Sequence, residues 1–275
     1  MKRIWVGLAA LAIVVFAFFL LSPRQRHVAG EQEAFDAFMG EMLQEAAIPG
    51  VAVIVLHDGQ IVHSAGYGYA DVESRRPMTP DTPINLASIS KPVLGMALLR
   101  LREESRLDID ATVNQYLPFT VDNPNVEGER ITVRELAAHS SSIADFYDPS
   151  LLVLGADAPA PVEDYVRQLL ASDGSHYDDG AHYLNAAPGA AREYSNLGAG
   201  LAGAVAEAAA GESLASYQAR TLFEPLGMSQ TSWRIADYAP DELAVRYSVS
   251  QCAPLLPLCV NTEAPVWNEV QPRPA

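Results

Sequence analysis

In "INLASISKPVLGMALLRL", residues 84–101, a serine and a lysine stand three positions apart, Ser88 and Lys91. A serine hydroxyl is a weak nucleophile until a base takes its proton. A lysine amine can be that base where desolvation favours its neutral form, and an apolar helix behind it would supply the burial. The i, i+3 spacing puts both groups on one helix face. The helix N-terminus favours an alkoxide or oxyanion and disfavours an ammonium. The chemistry this permits is nucleophilic attack on a carbonyl. Lysine is scarce in the chain: beyond Lys2, every Lys/Arg position other than 91 is arginine, which does not deprotonate in a protein. The competing reading makes Ser88 a helix N-cap and Lys91 a first-turn surface residue. An S-x-x-K spacing also arises by chance about once in a chain of this length.

A second cluster is Tyr194-Ser195-Asn196 in "PGAAREYSNLGAGLAG", on a turn before an Ala/Gly-rich helix. A phenol beside a cationic lysine can act as acid or base, and an amide can hold the lysine or a substrate carbonyl. Alone, the triplet reads as an ordinary turn. Other chemistries find less support. The chain has no G-x-S-x-G elbow for an α/β-hydrolase nucleophile. His57, His63, His139, His176 and His182 lack H-x-x-x-H or H-x-H spacing, so they read as loop or packing residues and no metal or cofactor is expected. Ser140–Ser142 reads as turn chemistry.

The elements that must position these groups follow from periodicity and punctuation. A helix is expected over 31–48, with Phe35, Phe38, Met42 and Ala46 on its apolar side, ended by Pro49-Gly50. Two apolar runs around Asp58-Gly59 predict a hairpin. A helix from about Ser88 to Glu104 is apolar nearly all round between Val93 and Leu99, and is expected to be buried. Thr132 and Glu135 fit a reciprocal capping box. Residues 144–190 are loop-rich around a short helix near 161–171. Further helices are expected in "NLGAGLAGAVAEAAAGES" and in "SLASYQARTLFEPLGM", the latter stopped by Pro225 and Gly227. From about Asp237 to Ala275 the pattern becomes Pro-rich coil. A hairpin followed by helices, without βαβ alternation, argues for an α+β fold.

The net charge is −16, and the residues beyond position 30 carry 14 basic against 34 acidic groups. Such a surface repels phosphate backbones, which excludes nucleic acid as a partner. Residues 1–30 read as a leader outside the fold. A basic start precedes the uncharged run Ile4–Leu21 and Ser22-Pro23, the pattern of a signal peptide or signal-anchor, and export to the periplasmic or outer side of a membrane is expected. Both a cleaved and a tethered form fit. Cys252 and Cys259, spaced C-x6-C, suit either a short-loop disulfide in an oxidising compartment or two unpaired thiols.

From about Ile48 to Thr231 the chain resembles the serine beta-lactamase and penicillin-binding-protein-like hydrolases, in the branch of class C beta-lactamases, D-alanyl-D-alanine carboxypeptidases and related esterases. The resemblance rests on "GYGYADVESRRPMTPDTPINLASISKP", "RLDIDATVNQYLP", "ITVRELAAHSSSI" (with Ser142 where the family usually has glycine), "EYSNLG" and "LFEPLGMSQT". It implies an antiparallel sheet flanked by helices, with a mostly helical subdomain at about 105–190; the Pro-rich coil at about 237–275, read from its own pattern, would be an irregular tail. It also implies an acyl-enzyme mechanism. Ser88 would be the nucleophile, Lys91 and Tyr194 would share general acid and base duty, and Asn196 would position them. The backbone N–H of Ser88 would be one oxyanion donor. The substrate would be a small molecule or a peptidoglycan-derived peptide: a beta-lactam, a D-alanyl peptide or an ester.

The chain departs from the family in one respect. No K-T-G or H-x-G triplet follows Tyr194, and neither the glycine-rich element nor the closing strands and helix of the family can be matched. The expectation is an incomplete version of the fold, with one edge of the hairpin left open. The alternative function is accordingly a catalytically silent or impaired binding domain.

Overall fold

The structure is a computed structural model that describes residues 23–128, 130–146, 156–249 and 267–269. The run Ile4–Leu21 and the pair Cys252 and Cys259 lie outside the described residues. Among those described, no helix is long and apolar enough to cross a membrane. The chain divides into two compact units, one of residues up to Thr82 with Ala244–Val270, the other chiefly Pro83–Leu243.

The first unit opens with helix α1, Pro23–Glu45, which begins eight residues before the expected start at Glu31. Its buried side is Met39 and Leu43, while Phe38 is 56% exposed. The expected stripe is thus turned by about one residue. Packing against the following sheet decides the face: Leu43 meets the backbone at Gly68, and Phe35 sets its ring edge-on to His63. Strands β1 (Gly50–His57) and β2 (Gln60–Asp71) form the expected antiparallel hairpin. Asp58 and Gly59 both have positive φ, 49° and 74°, as a two-residue type I′ turn requires. At Gly66 the chain needs a bare Cα, because a Cβ there would lie 2.1 Å from the carbonyl oxygen of Met78. Strand β3, Arg76–Pro77, adds to β2, giving the order β1-β2-β3. Strand β1 ends that order, with no strand on its other side among the described residues.

The tail is less irregular than its composition suggests. Strands β4 (Tyr247–Val249) and β5 (Trp267–Glu269) pair antiparallel. The Val245 N–H donates to the Ala70 carbonyl, and the Tyr247 hydroxyl bridges the Val72 N–H and the Asp71 carboxylate. Asp71 is only 3% exposed, and its second oxygen accepts from Ser74.

The second unit is helical. A 3-10 turn, Ala87–Ile89, runs into α2, Ser90–Glu103. Helices α3 (Val133–Ala137), α4 (Val162–Leu170), α5 (Asn196–Ala210) and α6 (Leu214–Gln218) follow, α6 continuing as a π turn over Ala219–Phe223. Helix α5 is the centre of this unit. Its small residues let α2, α3, α4 and α6 approach closely, and Leu197, Leu201 and Val205 are almost wholly buried. Each such side chain contributes roughly 1.5–3 kcal/mol of burial. Gly211, at φ 66°, ends the helix in the left-handed conformation. The capping box at Thr132 and Glu135 is present in both directions. Helix α2 corrects the expectation of all-round burial: Leu94, Ala97, Leu98 and Leu101 are buried, but Met96 and Leu99 are 45% and 53% exposed. A helix shows one face to its partner, whatever the composition of the other.

Candidate active site

Two helix beginnings, α2 and α5, carry the four expected residues, and packing of these helices brings them together within the second unit. Ser88 sits in the 3-10 turn, preceded by Ala87 at φ 46°. That positive φ is costly for a residue with a Cβ. The Asn85 side chain holds the turn by accepting the Ala87 N–H at 2.9 Å. Ser88 caps neither helical segment, since the N-caps there are Leu86 and Ile89 and neither uses a side chain. Its hydroxyl is engaged elsewhere: Oγ lies 2.7 Å from the Tyr194 hydroxyl and accepts from Lys91 Nζ at 3.2 Å.

The Tyr-x-Asn spacing has a local explanation. Ser195 is extended (φ −138°, ψ 120°), so its neighbours project opposite to its own side chain. Ser195 turns inward, 1% exposed, and caps α5 by accepting the Gly198 N–H while donating to the Ala144 carbonyl. Tyr194 and Asn196 then face the same side as Lys91. Lys91 Nζ donates to Asn196 Oδ1 at 2.7 Å and stands 4.8 Å from the centre of the Tyr194 ring. Lys91 is half-buried, while Ser88, Tyr194 and Asn196 are exposed.

The electrostatics follow from this crowding. The Lys91 ammonium beside the Tyr194 hydroxyl, and then the hydrogen bond with Ser88, hold the phenol below its usual pKa. His139, read from sequence as a packing residue, lies against the Tyr194 ring at 4.6 Å. Its Nδ1 accepts the Ser195 N–H at 3.2 Å, which leaves Nε2 to carry the proton. Burial, then the charges of Lys91 and Arg192, push its pKa down.

Sequence reasoning missed Asp145. Its carboxylate accepts the Asn196 backbone N–H at 2.8 Å and the Asn196 amide at 3.2 Å through each oxygen. It stands 51 positions before Asn196, in a loop whose composition marks it no differently from other acids. No local signal could have found it. The other histidines of the helical unit have partners outside the cluster: His182 packs on Phe146, and His176 bonds Ser175.

Fold and site together define a serine-lysine arrangement on an α+β scaffold with a small antiparallel sheet. The octameric penicillin-binding protein homologue from Pyrococcus abyssi has this fold: TM-score 0.62, 24% identity, covering 86% of this chain and 50% of that one. The family model described as Beta-lactamase matches residues 35–257, and the chain belongs to the beta-lactamase family. Among curated relatives, Protein flp of Staphylococcus aureus (strain COL) is 27% identical over 225 residues, 82% of this chain and 43% of the relative. Esterase EstB of Burkholderia gladioli is 30% identical over 230 residues, 80% of this chain and 55% of the relative. The chain thus spans about half the length of the curated relatives it matches.

Proposed function

We propose that the chain is an exported serine hydrolase that transfers the acyl group of an ester or amide to Ser88 and then to water. The observation that carries this reading is the position of Ser88 Oγ, 2.7 Å from the Tyr194 hydroxyl and 3.2 Å from an ammonium that is itself held by Asn196. Ser88 attacks the carbonyl carbon while its proton passes to Tyr194 in its phenolate form, which the lowered pKa favours. Lys91 stands beside Ser88 Oγ throughout the transfer, and the Ser88 N–H donates to the developing oxyanion. Tyr194 returns the proton to the leaving alcohol or amine. Water then attacks the acyl-enzyme along the same path in reverse, releasing the acid and restoring Ser88.

The names of the relatives support the substrate class: one is an esterase and one a penicillin-binding protein homologue. Ester, beta-lactam and D-alanyl peptide all present a carbonyl to this geometry, from a small molecule or from peptidoglycan. The leader-like run at 4–21 supports action on the outer side of a membrane, either released or tethered through that segment.

The test is covalent labelling of the full chain with a fluorophosphonate and with a fluorescent penicillin. Label at Ser88 in the wild type and none in Ser88→Ala is the expected result. A folded wild type that takes up no label, or an equal label in Ser88→Ala, overturns the reading. A second reading, a binding domain without turnover, is favoured by the openness of the site. Tyr194 is 43% exposed, and solvent weakens each electrostatic contribution. It predicts saturable ligand binding with no product over many hours.

A further inference from the structure

At the end of the network farthest from Ser88 stands a carboxylate that takes no part in the proton transfers, Asp145. We propose that Asp145 is a positioning residue for Lys91, acting through Asn196: it locks the Asn196 amide with its oxygen toward the lysine. This rests on the proposed function only in so far as Lys91 serves Ser88.

An amide can turn end for end with little change of shape, so its surroundings decide which end is oxygen. Here Oδ1 accepts from Lys91 at 2.7 Å and Nδ2 donates to both Asp145 oxygens at 3.2 Å. The turned amide would set its NH2 against an ammonium and its oxygen against a carboxylate. Both contacts would then be repulsive. A cation at one end and an anion at the other therefore select one orientation.

The two ends differ in stiffness. Lys91 rides on a flexible four-carbon stem. Asp145 is tied down: one of its oxygens also accepts the N–H of Asn196, the first residue of α5, where the helix's partial positive charge favours a carboxylate. The residue before it, Ala144, donates its N–H to the His182 carbonyl at 2.9 Å and accepts from Ser195 at 3.1 Å. The anchored carboxylate thus sets the amide, and the amide sets the amine.

Asp145→Ala leaves Lys91 alone to orient the amide and so loosens the shortest hydrogen bond of Lys91. Acylation of Ser88 by the fluorophosphonate should slow by about 10²-fold, the scale of a small misplacement of a reacting group. Asp145→Asn keeps one oxygen to accept from Asn196 and should lose about 10-fold or less. The readout independent of activity is the side-chain nitrogen signal of ¹⁵N-lysine-labelled protein. The chain has two lysines, Lys2 and Lys91, and Lys91→Arg assigns the signal. Asp145→Ala should move the Lys91 signal and leave that of Lys2 in place, with Asp145→Asn moving it less.

A variant that unfolds at the wild-type temperature, acylates at the wild-type rate and leaves the Lys91 signal unmoved overturns the proposal. So does a fall in rate with the Lys91 signal unmoved, which would mark Asp145 as a general support of its loop. If the wild type takes up no label, the hydrolase reading fails separately and the lysine signal alone decides the role of Asp145.

Discussion

The hairpin β1–β2 and the helical unit around α5 solve the same problem of cohesion in different ways. In the helical unit Leu101, Ile131 and Leu201 have no exposed surface, and five elements share one apolar core. In the hairpin Leu56, Ile61 and Val62 are 65%, 64% and 58% exposed. There cohesion comes from backbone pairing and from the Asp58-Gly59 turn. The four groups of the candidate site all belong to the helical unit. Polar groups held within a few tenths of an ångström need rigid neighbours, and a full core supplies them more reliably than a strand pair whose turn end is exposed on both faces.

Three experiments can break or sharpen that contrast. The largest effect is expected at the site. Lys91→Arg keeps the charge but replaces a compact ammonium with a planar fork that fits neither Ser88 Oγ nor Asn196 Oδ1 in the same way. Acylation should fall by about 10²- to 10⁴-fold with the unfolding temperature little changed. An unaltered rate would show that any cation suffices.

Next comes the core. Leu201→Ala should cost about 2–5 kcal/mol in denaturant unfolding, whereas Ile61→Thr, at an exposed position of β2, should stay within about 0.5 kcal/mol. Equal losses would mean that the hairpin face is covered in solution. The smallest effect is a displacement along the pH axis. The proton acceptor is taken to be the Tyr194 phenolate, so acylation should rise with pH to a plateau whose midpoint lies below that of a free phenol. Lys91 is the chief cause of that lowering. Lys91→Met should therefore carry the midpoint toward higher pH, and an unmoved midpoint would assign the limb to another group.

What could be read in advance was what neighbours in sequence determine. Ser88 and Lys91 share a face because a helix turn puts them there, and Tyr194 and Asn196 share one because Ser195 is extended. The cap at Thr132 follows from hydroxyl and carboxylate three residues apart. What could not be read depends on which distant segment arrives. Composition does not say which side of α1 or α2 meets a partner, so Phe38, Met96 and Leu99 are more exposed than their apolar character suggests. Three-residue strands such as β4 and β5 are too short to carry a period. Asp145 and His139 acquire their places only when their loop docks on α5.

The spacing of the site along the chain also has a consequence for folding kinetics. Ser88 and Tyr194 meet across 106 residues, Lys91 and Asn196 across 105, and Asp145 and Asn196 across 51. Closing the longer of these loops costs only about 0.6 kcal/mol more than closing one half its length, but the contacts of Ser88 and Lys91 cannot form until both helix beginnings have docked. The nucleophile therefore becomes competent late, after the segments between them have found the core. A burst of label during refolding would time the completion of the helical unit more directly than its gain of helix.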